Sequence, residues 1–344
     1  MTGKRTAGLL GLAALSIILS ATAAEVLYRA YRNHLYHEQV ARFSEDGWVL
    51  MPDDPREFRL PSSHSGRTPL ANDPSQSVPY RTNADGFRGR EIGRKQAGVP
   101  RIAVIGDSYT FGWGVPDGEA YPERTEVLLH ESGRDVEVLN LGIPGYNTEQ
   151  EWLLLIETMP RYGPDVVVLG YSMNDAEPQA NVPPLPANTY RHARSWLWED
   201  AKELIVQRYP SQRTWLTQNK LTPSTKYVLG FRPQSPKWRA SRAALSGIAA
   251  ICDAAGVPLV VLILPDFTRR FDDAYPDTAI HEAVSGWGRD LGVRTLDLLP
   301  RFRGLDHRTY MIKGDGHPNE RAHEAIAEAL RTELLPLLAA PTSP

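Results

Sequence analysis

The sequence predicts an α/β fold: a three-layer α/β/α arrangement around a parallel sheet of about five strands in flavodoxin-like order, preceded by an N-terminal membrane helix. Three observations carry this. Beyond residue 100, short runs of Val, Leu and Ile recur that are apolar throughout rather than alternating, as strands covered on both faces require. Helical patterns separate those runs, and a strand–helix–strand alternation implies parallel pairing. Ahead of both, Ala7 to Ala24 carries no charge, and about 18 residues at helical rise just cross a hydrocarbon core.

The runs are RIAVIG (Arg101 to Gly106), VEVLNLG (Val136 to Gly142), DVVVLGY (Asp165 to Tyr171) and VPLVVLIL (Val257 to Leu264), with VRTLDLL as a weaker fifth. Helices are expected over Tyr121 to Glu131, Thr148 to Met159, Pro236 to Ala255 and Asp277 to Leu291, with a last one from about Asn319 to Leu337. At the N-terminus, Lys4 and Arg5 precede the apolar stretch. Ala21-Thr22-Ala23 offers a signal-cleavage site, but the stretch is long for a cleaved signal and favours an uncleaved anchor that continues as a helix through EVLYRAYRNHLYHE. Either way, the remainder is expected outside the cytoplasm.

Residues 1–42 are thus expected to be the anchor and juxtamembrane helix, and 99–340 the main domain. Between them, 43–98 is rich in Pro, Ser, Arg and Asp with little periodicity, and is expected to drape over that domain as an irregular connector. One segment interrupts the alternation. Residues 178–236 are proline-rich and carry Trp196, Trp198 and Trp215, with Trp238 just beyond. A stretch this long in a compact domain reads as a lid or binding insert, or as a helical excursion packed on the surface.

Composition narrows the chemistry. The 344 residues have a net charge of −3, which does not point to nucleic acid. With Cys252 as the lone cysteine, no intramolecular disulfide and no cysteine cluster for zinc can form. No Gly-x-Ser-x-Gly elbow, Walker lysine or His-Glu-x-x-His occurs, and no cofactor or metal is expected.

Ligands of open parallel sheets bind beyond the carboxyl ends of the strands. The first strand runs into Gly106-Asp107-Ser108, the second into NLGIPGYNT with Gly142, and the third into GYSMNDAE with Asn174; KGDGHPNE, with Asp315 and His317, precedes the last helix. Together these hold what acyl transfer needs. Ser108 offers a hydroxyl, His317 a base to take its proton, and Asp315 a carboxylate to orient the imidazole. Backbone N–H groups of Ser108 and Gly142, with the Asn174 amide, offer donors for an oxyanion. Tyr109, Trp113 and Tyr146 are candidates to line the substrate pocket, with burial in the core as the alternative.

In order and content the four segments resemble the sequence blocks of the SGNH (GDSL-type) hydrolase superfamily, with the match running from about Arg101 to the end. The resemblance implies Ser108 as nucleophile, Gly142 and Asn174 as oxyanion donors and His317 as base. Two departures stand out: Gly170 lies four residues before Asn174, and Asp315-Gly316-His317 is one residue shorter than the usual Asp-x-x-His. The shorter form also occurs among SGNH-like polysaccharide O-acetylation proteins. Upstream, RTNADGFRG (Arg81 to Gly89) is similar to an element preceding the Gly-Asp-Ser block in some membrane-anchored bacterial members. The resemblance implies a serine-dependent ester hydrolase acting on O-acyl esters, acetyl first, through an acyl-enzyme on Ser108, with acylated cell-surface carbohydrate as the expected substrate and lipid esters as the nearest alternative. An O-acyltransferase is the alternative, and a noncatalytic membrane-tethered carbohydrate-binding or assembly protein is the alternative of another class.

Overall fold

The computed structural model describes residues 2–45, 48–51, 54–70, 73–176, 195, 197, 231 and 235–338. The chain divides into two units, Met1–Glu45 with Ala180–Leu221, and Asp46–Gln179 with Thr222–Pro344.

In the first unit, α1 (Thr2–Glu45) is continuous. Its Gly11–Tyr31 stretch is, among the described residues, long and apolar enough to cross a membrane, with Leu12, Ile17 and Leu19 exposed. Glu25 falls within that stretch, and its carboxylate is well supplied with donors: Arg29 Nε at 2.7 Å, Ser195 Oγ at 2.8 Å and the Leu197 N–H at 3.2 Å. Most of the expected insert at 178–236, including Trp196, Trp198 and Trp215, lies outside the described residues.

The second unit is built on five parallel strands, β5 (Arg101–Gly106), β6 (Glu137–Gly142), β7 (Val166–Tyr171), β8 (Leu259–Ile263) and β9 (Arg294–Asp297), in the order β6-β5-β7-β8-β9. That is the flavodoxin-like order, with the earliest strand second from one edge. All residues of β5, β7 and β8 are buried, which explains their unbroken apolar runs. One face is covered by α3 (Tyr121–Glu131) packed against α8 (Glu320–Leu338), the other by α4 (Thr148–Tyr162) packed against α5 (Pro236–Ala254), while α6 (Thr278–Leu291) flanks β9 and the short α7 (Leu299–Phe302) follows it. Asn147 and Gln150 form a capping box at the start of α4, and Gly163 ends it in a left-handed conformation. Trp238 is buried in α5 against Phe231.

The connector differs from expectation. Instead of being irregular, it forms two antiparallel hairpins, β1 (Val49–Met51) with β2 (Glu57–Arg59) and β3 (Ser65–Leu70) with β4 (Asp73–Arg81). The strands are very short or interrupted by Pro69, Pro74 and Pro79, so no alternating pattern marks them, and edge strands tolerate such prolines. Their order comes from what they cover. Phe58 stacks edge-on against Tyr146 at 5.1 Å, and Tyr80 against Phe111 at 5.2 Å.

At the carboxyl end of the sheet, Gly142, Gly106 and Gly170 are register partners across β6, β5 and β7. The one-turn helix α2 (Ser108–Phe111) lies directly on this row. A Cβ on Gly142 would fall 2.3 Å from the Phe111 nitrogen; on Gly106 it would fall 2.0 Å from Thr110 Oγ1, and on Gly170 2.5 Å from the same oxygen. Gly142→Ala meets backbone, which cannot rotate away. It is expected to cost about 2 kcal/mol in urea unfolding, in the range of overpacked cores. An unchanged unfolding midpoint would contradict this seating.

Candidate active site

Ser108 opens α2 at the end of β5. Asp107 caps the turn, its Oδ1 accepting from the Tyr109 N–H at 2.9 Å, and Gly112 ends it at φ +82°. Ser108 as the first residue of the turn has no intrahelical acceptor for its N–H.

His317 stands on the loop before α8. That loop is closed by the Ile312 N–H donating to the His317 carbonyl at 2.8 Å and by a bridge between Met311 and Pro318. His317 Nε2 lies 3.0 Å from Ser108 Oγ, and His317 Nδ1 hydrogen-bonds Asp315 Oδ1. The short Asp-x-His spacing is accommodated by Gly316 at φ +95°, which turns the chain enough for the carboxylate two residues earlier to reach the ring. The Asp315 side chain is only 4% exposed, so it faces the imidazole rather than solvent. The other Asp/His pair in this region is separate. Asp306 is engaged by Arg308, and His307 meets the Phe271 ring edge-on.

Asn174 is held from β7. Ser172 Oγ donates to Asp107 Oδ2 at 2.8 Å and also touches Asn174 Oδ1, while the Ser172 N–H donates to the Asp175 carboxylate. Ser172 thereby ties the Asn174 segment to the cap of the Ser108 turn. Beneath it lie three buried carboxyls, Asp107, Asp175 and Glu151. Burial raises all three, and their mutual repulsion adds to the rise in Asp175 and Glu151, which lie well above the usual carboxylate range. His323, on α8 behind the site, is wholly buried; desolvation, aided by the nearby Arg88, pushes it down to about 3. It is therefore neutral, and its Nδ1 accepts from the Tyr121 N–H at 3.1 Å.

Two sequence-based expectations require correction. Gly142 does not offer its N–H to the rim, because that group donates to Asn140 Oδ1 at 3.0 Å. Its missing side chain makes room for Phe111, not for a substrate carbonyl. Three residues on, Ile143-Pro144-Gly145-Tyr146 forms a tight turn closed by the Tyr146 N–H on the Ile143 carbonyl at 3.1 Å, with Gly145 at φ +84°. Proline followed by a positive-φ glycine is the type II pattern, which leaves the glycine N–H outside the turn's own hydrogen bond. The Gly145 N–H has no acceptor among the described residues. Tyr146 is the second correction. It is 1% exposed and donates to the Phe58 carbonyl at 2.6 Å, so it pins the first hairpin and lines no pocket. Tyr109 and Trp113 do stand at the site, both partly exposed, with ring centroids 5.6 and 6.0 Å from that of His317. Asn140 and Ser172 contribute without a sequence signal, because a strand asparagine and a loop serine carry none until their partners are known. Among the described residues no three His, Cys, Asp or Glu side chains converge as a metal site would need.

The family model of the GDSL-like Lipase/Acylhydrolase family matches residues 104–325, well over half of the chain. The chain belongs to that family. This GDSL-type protein is also 31% identical over 75 residues to an arylesterase of Vibrio mimicus, an alignment covering 22% of this chain and 38% of that protein. The chain thus spans well under half the length of that curated relative. Among solved structures it is similar to TesA, with a TM-score of 0.44 and 16% identity over 69% of this chain and 99% of the other. It is also similar to the esterase EstA from a Pseudoalteromonas species, with a TM-score of 0.43 and 14% identity over 70% and 99%. The family is part of the SGNH superfamily that the ordered blocks resemble.

Glu151 supplies a pH test of the buried carboxyl group. Its folded-state pKa is raised above its unfolded value, so the folded chain keeps a proton that the unfolded chain releases. It stabilises the fold fully at low pH, and that contribution is lost as pH rises from about 4.3 towards the raised value. Glu151→Gln removes this dependence. Measured by urea unfolding, the stability of the variant relative to the unsubstituted protein should rise from pH 5 to pH 8, with a slope of at most about 1.4 kcal/mol per pH unit. A difference that stays flat with pH would show Glu151 to be ionised in the folded state.

Proposed function

We propose that this protein hydrolyses carboxylic esters through an acyl-enzyme formed on Ser108. The observation that carries the reading is the line Ser108 Oγ, His317 Nε2, His317 Nδ1 and Asp315 Oδ1. A serine hydroxyl is a poor nucleophile unless a base stands within hydrogen-bond reach, and 3.0 Å is within it. As Ser108 Oγ bonds to the ester carbonyl carbon, its proton passes to His317 Nε2, and the buried Asp315 carboxylate stabilises the imidazolium through Nδ1–H. The N–H groups of Ser108 and Gly145, with the Asn174 side-chain amide, hold the oxyanion; Gly145 takes the part expected of Gly142, whose N–H is already engaged. Collapse breaks the bond to the alcohol oxygen, which takes the proton from His317. Water, deprotonated by the same nitrogen, then releases the acid and restores Ser108.

The acyl group in this reading is short, acetyl first, with the Tyr109 and Trp113 rings that flank His317 proposed to bound it. The α1 helix serves as an uncleaved anchor that holds the enzyme at the outer side of a membrane, where O-acylated cell-surface carbohydrate would be its alcohol component.

The test is turnover of p-nitrophenyl acetate and octanoate by the full chain in detergent. The unsubstituted chain should turn over the acetate faster. Ser108→Ala and His317→Ala should each lose about a thousandfold or more in kcat, and Asp315→Asn about a hundredfold or more. A fluorophosphonate should label Ser108 alone. A folded chain that neither turns over ester nor takes the label would overturn the proposal and favour a dedicated transferase or a binding protein.

A further inference from the structure

The one-turn helix that carries Ser108 is capped at its N-terminal end by Asp107, but a single turn leaves its last carbonyls without intrahelical donors. These carbonyls are met by one side chain from outside the family-matched region. Arg88, in the segment after β4, is 3% exposed. Its Nη1 donates to the Phe111 carbonyl at 3.0 Å and also to the Gly112 carbonyl; its Nη2 donates to the Val115 carbonyl at 2.6 Å and to Asp117 Oδ1 at 3.2 Å. Nε donates to the same Asp117 oxygen at 3.3 Å, and the guanidinium carbon lies 5.1 Å from the centre of the Phe111 ring. Only a planar fork of several donors can serve three carbonyls and a carboxylate at once.

We propose that Arg88 is a positioning residue for the reaction, holding the segment from Phe111 to Asp117 so that Ser108 and Trp113 keep their places beside His317. The inference rests on the ester-hydrolase reading of Ser108. Three features set it apart from mere packing. All the carbonyls that Arg88 binds belong to the stretch directly after Ser108. Arg88 precedes residue 104, where the family match begins, so the upstream hairpin segment completes a site whose other parts lie in the matched region. Asn140 braces the same turn from β6, its Nδ2 reaching the Phe111 carbonyl at 3.4 Å and Glu123 Oε1 at 3.1 Å while its Oδ1 accepts from Gly142. The support on β6 therefore meets the Arg88 support at the Phe111 carbonyl.

The test uses the full chain and p-nitrophenyl acetate. Arg88→Lys keeps the charge but not the fork. It is expected to fold, to keep KM within about threefold, and to lose about thirty- to a hundredfold in kcat, equivalent to about 2–3 kcal/mol. The rate of fluorophosphonate labelling of Ser108 should fall in parallel. In Arg88→Ala, added ethylguanidinium should restore part of kcat, whereas ethylammonium should not. Arg67→Ala, on the exposed side of the second hairpin, should leave kcat unchanged and shows that general loosening of the hairpin is not the cause. If Arg88→Lys folds with kcat within twofold of the unsubstituted chain, the proposal is overturned. It is also overturned if the variants lose only thermal stability, or if ethylguanidinium restores nothing to a folded Arg88→Ala. An unsubstituted chain without turnover or labelling would sink the ester-hydrolase reading and this inference with it; activity that is lost in Ser108→Ala but kept in Arg88→Lys would sink this inference alone.

Discussion

The site depends on how closely one turn of helix can approach three strand ends. Gly142, Gly106 and Gly170 form a flat row because none of them carries a Cβ, and Thr110 and the Phe111 backbone rest on it. Side chains in this row would lift the turn by roughly the width of a methyl group. Lifted by that much, Ser108 Oγ would lie beyond hydrogen-bond reach of His317. The row also explains why β5 ends where it does. The chain leaves a buried strand through a glycine and turns at once, before any side chain can separate helix from sheet.

Once seated, the turn is gripped at both ends by groups that are themselves buried. Asp107 takes the N–H of Tyr109 at one end, and Arg88 takes the carbonyls at the other. Burying such groups is costly unless each is bonded, and here the bonding is extensive. Ser172 links Asp107 to the Asn174 segment, so the hydroxyl and the amide that the proposed mechanism uses are referenced to one carboxylate. Burial and mutual repulsion raise the carboxyls beneath, Asp175 and Glu151, and among the described residues no cation balances them, so the floor of the site is kept closer to neutral than its composition suggests.

Much of this was legible in the chain itself. The five apolar runs and the helices between them correspond to the observed elements to within a few residues; β5, β7 and β8, buried throughout, leave the clearest composition, and the partly exposed β9 the weakest. Ser108, Asn174, Asp315 and His317 stood out because glycine-rich turns at strand ends are short and chemically conspicuous. The hairpins between residues 49 and 81 did not stand out. Their prolines and polar residues mark them as loop, and what orders them is the burial of Phe58 and Tyr80 against residues far along the chain. Gly142 and Gly145 could not be told apart for a related reason. Gly142 ends β6 and Gly145 follows three residues on, and only the direction of an N–H, fixed by the Asn140 side chain in one case and by a tight turn in the other, distinguishes them.

The sequence by itself determined the layer architecture and the place of the candidate site, because hydrophobic periodicity and glycine-bearing strand ends are local properties that survive without a partner; the strand order it suggested is set by pairing in the tertiary structure. It also determined that residues 7–24 are apolar enough, and as a helix long enough, to span a membrane. Only the tertiary structure decided that the short Asp-x-His spacing still forms a dyad, because a single positive-φ glycine between the two residues does the work of the missing one. It alone decided that Tyr146 is a structural pin and that Arg88 reaches across to the Ser108 turn. Those assignments depend on which distant carbonyl or ring a side chain meets when the hairpins fold onto the sheet, and no local pattern encodes such a meeting.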